Sequence, residues 1–350
     1  MTTAGEAMVP EHYGDPAAEY AAVREAVGLI ERPDAGLVRI AGPDRAGFLQ
    51  GVVSCEIKKL PVGRGAYGML LNTTGHVVAD LVALALPDEL LVLPSPGLAG
   101  RVAADLEKFH IMEKVTITDL SAATAVIGLH GPAAGDLLND AFSLDVLAPE
   151  EHQHFEMSFQ GTPVRAVACR PTGAPGFEFL VPAEVAGAFR ETLTQRGADH
   201  GLRPVGAAAR EILRIEAGRP RAPNEIHEGV LGPELDVAAA FAPGKCYPGQ
   251  EVVARIQARG HVNRKLFGIR VEGPTVPAVG DEVWLAGGAR KVATVSSAAL
   301  SPALGSPIAL GLVRKEAFTP DTAVEIRHGG QVLAGRTCPL PFVTPTARGE

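Results

Sequence analysis

The 350-residue sequence has few cysteines, few aromatic residues, no excess of positive charge and no long unbroken hydrophobic run. Its four cysteines, Cys55, Cys169, Cys246 and Cys338, stand far apart and include no Cys-x-x-Cys pair. Neither a zinc ribbon nor a self-contained cluster site is readable from them, and no bound metal is expected. So few thiols in a chain this long suit a reducing compartment. A formal net charge of -8 argues against broad contact with a phosphate backbone, so direct DNA binding is not expected. The most apolar stretch, "VVADLVALALPDELLVLP", is interrupted by Asp80, Pro87, Asp88 and Glu89 before it could cross a bilayer. The opening residues show no basic segment followed by an apolar one, so no secretion signal is expected. The chain reads as a cytoplasmic protein without a membrane partner.

What is present suits a globular protein of two or three domains. Hydrophobic residues make up 46% and charged residues 21%, enough apolar material to bury a sizeable core. In "AEYAAVREAVGLIE", Tyr20, Val23, Val27 and Ile30 fall on one side at helical spacing. "GLVRIAGPDRAGFLQGVV" reads as strand, turn and helix, with Asp44 placed as an N-cap. "GAYGMLLNTTGHVVADLVALAL" reads as two strands about a turn at 72–75, and "GLAGRVAADLEKFHI" and "EVAGAFRETLTQRG" as helices. Strands and helices mix without strict β-α-β alternation, which points to the α+β class. After about Gly260 the texture changes to short strands separated by Gly and Pro turns. Residues 1–258 therefore read as an α+β region of two subdomains, and 259–350 as a C-terminal β-barrel domain. The first residues and the tail "TPTARGE" are expected to be mobile.

Several residues are out of place for simple packing. Asp80 lies in a strand apolar on both faces, and Glu178 lies between Phe177 and Phe179. An ionised carboxylate in such a strand is costly unless it is paired, hydrogen-bonded or facing a polar cavity. The two acids could each pair with an arginine, or could meet in one cavity and accept hydrogen bonds from ligand N–H groups. Arg210 and Arg214 sit four apart on a helix beside Glu211 and Glu216. That spacing fits a salt-bridged face or a fork for a ligand carboxylate.

"GKCYPGQEVVARI" is the most distinctive stretch. Tyr247-Pro248-Gly249-Gln250 has Pro and Gly where a type II turn wants them, and a helix follows with Val252, Val253 and Ile256 inward. Cys246 then precedes a helix N-terminus with Lys245 beside it. Both features favour thiolate, although a packing role for Cys246 against Tyr247 fits the same residues. His261 reads as a loop histidine with no metal partner.

"KCYPGQEVVARI" followed by "GHVNRKL" resembles the signature of the YgfZ family, folate-binding proteins linked to iron–sulfur cluster assembly. "AVREAVGLIE", "GPDRAGFLQGVV", "NTTGHVVADLVAL", "PTGAPGFEFLVP" and "RPVGAAAREILRIEAG", in that order, resemble the wider glycine cleavage T-protein (aminomethyltransferase) superfamily. The resemblance spans about Tyr20 to Pro341. It implies a three-domain ring around a folate channel, closed by the barrel, with tetrahydrofolate or a one-carbon derivative as cofactor. Asp80 matches the position of a catalytic aspartate, Glu178 a pterin-binding glutamate, Tyr67 a channel tyrosine and Arg210 an arginine near the far end of the folate. The YgfZ signature implies thiol chemistry at Cys246, framed by Lys245, Tyr247, Gly249, Gln250 and Glu251, and iron–sulfur client or assembly proteins as partners. The alternative is a folate-dependent aminomethyltransferase or related demethylase, from whose pattern Leu84, Pro171 and Arg219 depart.

Overall fold

The computed structural model describes residues 9–344, leaving aside 145, 147, 148, 261 and 289. His261 and the outermost residues at both ends, expected to be mobile, fall outside the described set. The chain opens with α1 (Pro16–Glu25), β1 (Val27–Glu31), β2 (Val38–Ala41), α2 (Arg45–Val52), β3 (Gly65–Leu71), β4 (Val77–Ala85) and β5 (Glu89–Pro94). It continues through α3 (Ala99–Phe109), β6 (Thr116–Asp119), β7 (Thr124–His130), α4 (Ala134–Phe142), β8 (His154–Phe159), β9 (Thr162–Cys169) and β10 (Gly176–Pro182). Next come α5 (Ala183–Gly197), β11 (Leu202–Pro204), α6 (Ala207–Glu216) and α7 (Gln250–Arg259). The last strands are β12 (Arg264–Val271), β13 (Glu282–Leu285), β14 (Lys291–Ser301), β15 (Ser306–Arg314), β16 (Ala323–His328) and β17 (Gln331–Cys338).

These strands form two open sheets and a closed barrel. The first sheet has the order β3-β4-β5-β2-β6, and the second β11-β1-β7-β10-β9-β8. The barrel runs β12-β15-β14-β13-β16-β17 and closes where β17 pairs β12. The first sheet is inserted between β1 and β7, so the second sheet is assembled from both sides of it in sequence.

Strand alternation decides which residues face which neighbour. In β4, Ala79, Leu81 and Ala83 pack with Phe48, Leu49, Val102 and Leu106 under α2 and α3. In β10, Phe177, Phe179 and Val181 pack with Leu137, Phe189 and Leu193 of α4 and α5. The opposite faces of the two sheets meet each other, with Leu84 and Leu91 against Val126, Val167 and Leu180. Each such side chain contributes about 1.5–3 kcal/mol by leaving water. The barrel docks on α6 through Ile215, Leu266, Ile308, Leu310 and Phe342. It reaches the first sheet through a cluster joining Met69, Leu71, Val77 and Phe241 with Leu312. The three units therefore touch pairwise.

Two expectations are corrected. The helix predicted through Ile30 ends at Glu25, and Val27–Glu31 is strand β1. Gly28 explains the switch, since a Cβ there would lie 2.4 Å from Val23 and 2.7 Å from Val205, a packing that needs extended backbone close to α1. Asp44 stands at the start of α2 without capping it, because its carboxylate accepts instead from the Lys114 amide at 2.7 Å.

Candidate functional site

The apolar contact between the two sheets gives way, along the same faces, to polar side chains. On β4, Asp80 has the parity of Val82 and Leu84, and on β3 it stands opposite Met69. Tyr67, one diagonal step away on that face, donates its hydroxyl to Asp80 Oδ2 at 3.0 Å. Ser95, just past β5, donates its hydroxyl to Asp80 Oδ1, and its amide to the Asp80 carbonyl at 3.1 Å. Asp80 is only 8% exposed. Burial pushes its carboxyl above the usual aspartate range, and the Ser95 and Tyr67 hydroxyls offset part of that rise. Burial, reinforced by Asp80, holds the Tyr67 phenol well above its ordinary value, so it stays a hydrogen-bond donor. A carboxyl so placed can hold or release a proton.

The second sheet carries the other acid. Glu178 has the parity of Leu180 and sits between Gly128 and Val167 of the adjoining strands. Arg32, following β1, donates to Glu178 Oε1. Its Nε reaches Asp34 at 3.3 Å, and Arg210 on α6 pairs with the other Asp34 oxygen at 2.9 Å. Burial disfavours the Asp34 carboxylate, but Arg32 and Arg210 outweigh it and hold its pKa below the ordinary value. Glu178 and Arg210 thus belong to one alternating row of charges. The helix face is split: Arg214 is buried and bonded to Glu211 and Glu225, while Arg210 turns to this row.

Arg219 links the two halves. It pairs with Glu151 at 3.0 Å. Burial, with Arg219 as a smaller contribution, lowers the His152 pKa, and the same charge offsets a little of the rise at Tyr67. With Arg170, Gly173 and Leu340 it lines a cavity of about 400 Å³ where the second sheet, the segment after α6 and the barrel meet. Of the residues singled out in the sequence, Asp80 and Tyr67 meet on the first sheet, and Glu178 and Arg210 fall in the charged row; their partners Ser95, Arg32 and Asp34 were missed. The polar cluster "ERPD" at the end of apolar β1 was the available signal for the last two.

The turn before α7 forms as expected, with the Gln250 amide bonded to the Tyr247 carbonyl at 3.1 Å and Gly249 at φ +78°. Cys246 is exposed. Lys245 does not stand beside its thiol as the sequence suggested. Its side chain is buried, donating to the carbonyls of Val53 and Cys55. Burial lowers the Lys245 amine to about 8, and its charge acts on Cys55, whose thiol burial nevertheless raises to about 11. Adjacency in sequence therefore does not bring the two groups together: the ammonium is buried against main-chain carbonyls while the thiol is exposed. Tyr247 packs among Met69, Phe241 and Val253, while Glu251 pairs with Arg255 at 2.9 Å in the first turn of α7. Of the three residues expected to face inward on α7, only Val253 is fully buried.

Comparison with known proteins adds an independent line. Residues 1–242 match the GCVT N-terminal domain family, and residues 264–344 the glycine cleavage T-protein C-terminal barrel domain. An aminomethyltransferase of Saccharopolyspora erythraea is 32% identical over 338 residues, covering 95% of this chain and 91% of that protein. An aminomethyltransferase of Thermus thermophilus is 33% identical over 342 residues, covering 96% and 93%. The glycine cleavage system aminomethyltransferase T from Bartonella henselae superimposes with a TM-score of 0.87 at 24% identity, over 96% of this chain and 92% of that one, and so shares the fold. These matches support the broader of the two resemblances and add nothing for the narrower YgfZ one. Matched by both domain models and by relatives of nearly its full length, the chain belongs to the glycine cleavage T-protein family.

Proposed function

We propose that this protein is a tetrahydrofolate-dependent transferase of the aminomethyltransferase type, moving a one-carbon unit from an amine to reduced folate. The observation that carries the reading is Asp80: a buried carboxyl with a raised pKa, held by two hydroxyl donors. Asp80 can take a proton from, or return one to, the nitrogen that gains or loses the carbon unit. The donor set suits a reduced pterin, whose ring N–H groups need acceptors. Glu178 offers them, because Arg32 engages only its Oε1 oxygen. Arg210 and Arg219 supply cations for the anionic part of the ligand. The folate supplies the nucleophilic nitrogens; the protein orients them and excludes water.

The test is calorimetric titration with tetrahydrofolate, paired with an assay of aminomethyl transfer using the glycine cleavage partner proteins. Glu178→Ala should weaken folate binding by about 1–3 kcal/mol, the range for leaving buried polar groups unpaired. A wild-type protein that binds no reduced folate would sink the reading.

A second reading is favoured by one observation, the exposed Cys246 on the turn before α7. In it the protein is a YgfZ-type folate binder that supports iron–sulfur cluster assembly or repair through this thiol. Folate binding without aminomethyl transfer, together with failure of Cys246→Ser to restore cluster-enzyme activity in cells lacking the protein, would select it.

A further inference from the structure

We propose that His130, Cys169 and Glu178 form a three-ligand site for a zinc-class divalent ion on the inner face of the second sheet. One donor atom from each residue lies within 4.8 Å of the other two, and this is the group of that kind found among the described residues. The placement follows from strand register. Gly176 of β10 is the paired residue of both His130 on β7 and Cys169 on β9, so the imidazole and the thiol flank a position without a side chain. Glu178 stands two residues along β10, on the same face. Gly128 and Gly176 make the room: a Cβ on the first would lie 2.9 Å from His130 Nε2, and on the second 3.0 Å from His130 Cδ2.

The donors match the ion in kind and spacing. Thiolate, imidazole and carboxylate are the three side chains that bind zinc, and three protein ligands leave a fourth position for water or substrate. Cys169 Sγ and His130 Nε2 are 3.9 Å apart, against about 3.6 Å between sulfur and nitrogen on a tetrahedral zinc. The other imidazole nitrogen, Nδ1, lies 3.3 Å from the Thr172 hydroxyl, an outer partner that can fix the ring. His130 and Thr172 are each 2% exposed. Arg32 is the competitor, since it holds Glu178. It has an alternative within reach in Asp34, which already accepts from its Nε at 3.3 Å. On binding, the sulfur–metal bond forms as the thiol proton leaves to solvent, and no electron is transferred.

Cobalt(II) added to the full-length protein is the probe. The expected result is a thiolate-to-cobalt band in the near ultraviolet with intense visible bands of a tetrahedral ion, removed by one equivalent of zinc. Cys246→Ser should keep the whole signal. Cys169→Ser should abolish the thiolate band and weaken zinc binding at least tenfold, and His130→Gln should weaken it similarly. Absence of the band in the wild type, its survival in Cys169→Ser, or its loss in Cys246→Ser would each overturn the site. Where Cys169→Ser or His130→Gln folds poorly, Cys55→Ser and Cys338→Ser complete the assignment with Cys246→Ser: all three should keep the band, and its loss in any of them overturns the site. Glu178 is also the acceptor assigned to the pterin above, so the titration is made without folate; its signal needs no turnover, and its failure would leave the functional reading standing.

Discussion

Replacing Glu225 by alanine should loosen the barrel from the rest of the protein. Glu225 is fully buried between α6 and β14. One oxygen accepts from the Ser296 and Ser297 hydroxyls, the latter at 2.7 Å. The other accepts from Arg214 Nη1 at 3.2 Å and from the Arg221 amide at 3.1 Å. Alanine removes the acceptor of all four donors; Arg214 Nη1 and the Ser296 hydroxyl keep the Arg219 and Leu310 carbonyls, while the Arg221 amide and the Ser297 hydroxyl lose theirs. Removing one partner of a buried ion pair costs about 3–5 kcal/mol, largely because the other charge stays buried. Arg214 retains Glu211 and the Arg219 carbonyl, so the lower half of that range is expected. Glu225→Gln keeps one acceptor oxygen and should cost less. The assay is equilibrium urea unfolding, with the single tryptophan, Trp284 of barrel strand β13, as a local reporter and circular dichroism as a global one. The double variant with Ser297→Ala should show a coupling of at least about 0.5 kcal/mol. A loss under about 1 kcal/mol for Glu225→Ala, below the ordinary price of one stranded buried donor, or strict additivity in the double variant, would refute the network.

Other outcomes can be checked separately. Asp80→Asn should lower the transfer rate by about 10²–10⁴-fold while leaving the fold intact, as read by steady-state kinetics and thermal melting. The folded protein holds the Asp80 proton more tightly than the unfolded chain, so this group's contribution is full below the ordinary carboxylate pKa. It is lost as pH rises through the raised value, and melting curves of Asp80→Asn should lack that loss. His154 is the opposite case, lowered to about 4 by burial and then by Arg165. Its stabilising contribution should be present above pH 6.5 and disappear as pH falls through about 4, and His154→Gln should flatten that acid limb of a denaturation series. Lys245→Met should leave the pH dependence of Cys246 alkylation by iodoacetamide unchanged, because the ammonium points to the Val53 and Cys55 carbonyls. A slower reaction at neutral pH would restore the lysine to the thiol's environment.

The candidate site was legible where an acid broke an apolar strand. Asp80 and Glu178 violate the strand pattern, and each proves to occupy an inner sheet face just beyond the apolar contact. Arg32, Asp34 and Ser95 were hidden because they sit just past strand ends, where polar residues are ordinary. His130 and Cys169 were hidden differently: 39 residues separate them, and only the pairing of β7 and β9 about Gly176 brings them together. The error over Lys245 has a local cause, since no periodic pattern precedes the turn to say which way its side chain points. The early strand β1 was read as helix because Val27 and Ile30 happen to continue the spacing of Tyr20 and Val23.

The turn that carries Cys246 also rests on the β3–β4 hairpin with nothing soft between them. A Cβ on Gly249 would lie 2.5 Å from the Asn72 carbonyl oxygen and 2.7 Å from Gly75 Cα, and Gly75 itself lies against Val252. Main chain touches main chain, and both glycines have φ near +80°, where side chains are rarely tolerated. The same hairpin is the far end of the two strands that bear Tyr67 and Asp80. Mechanically, the thiol is mounted on a bracket without play. A tilt of those strands therefore presses directly on the start of α7, with less give than a cushion of long flexible side chains would leave.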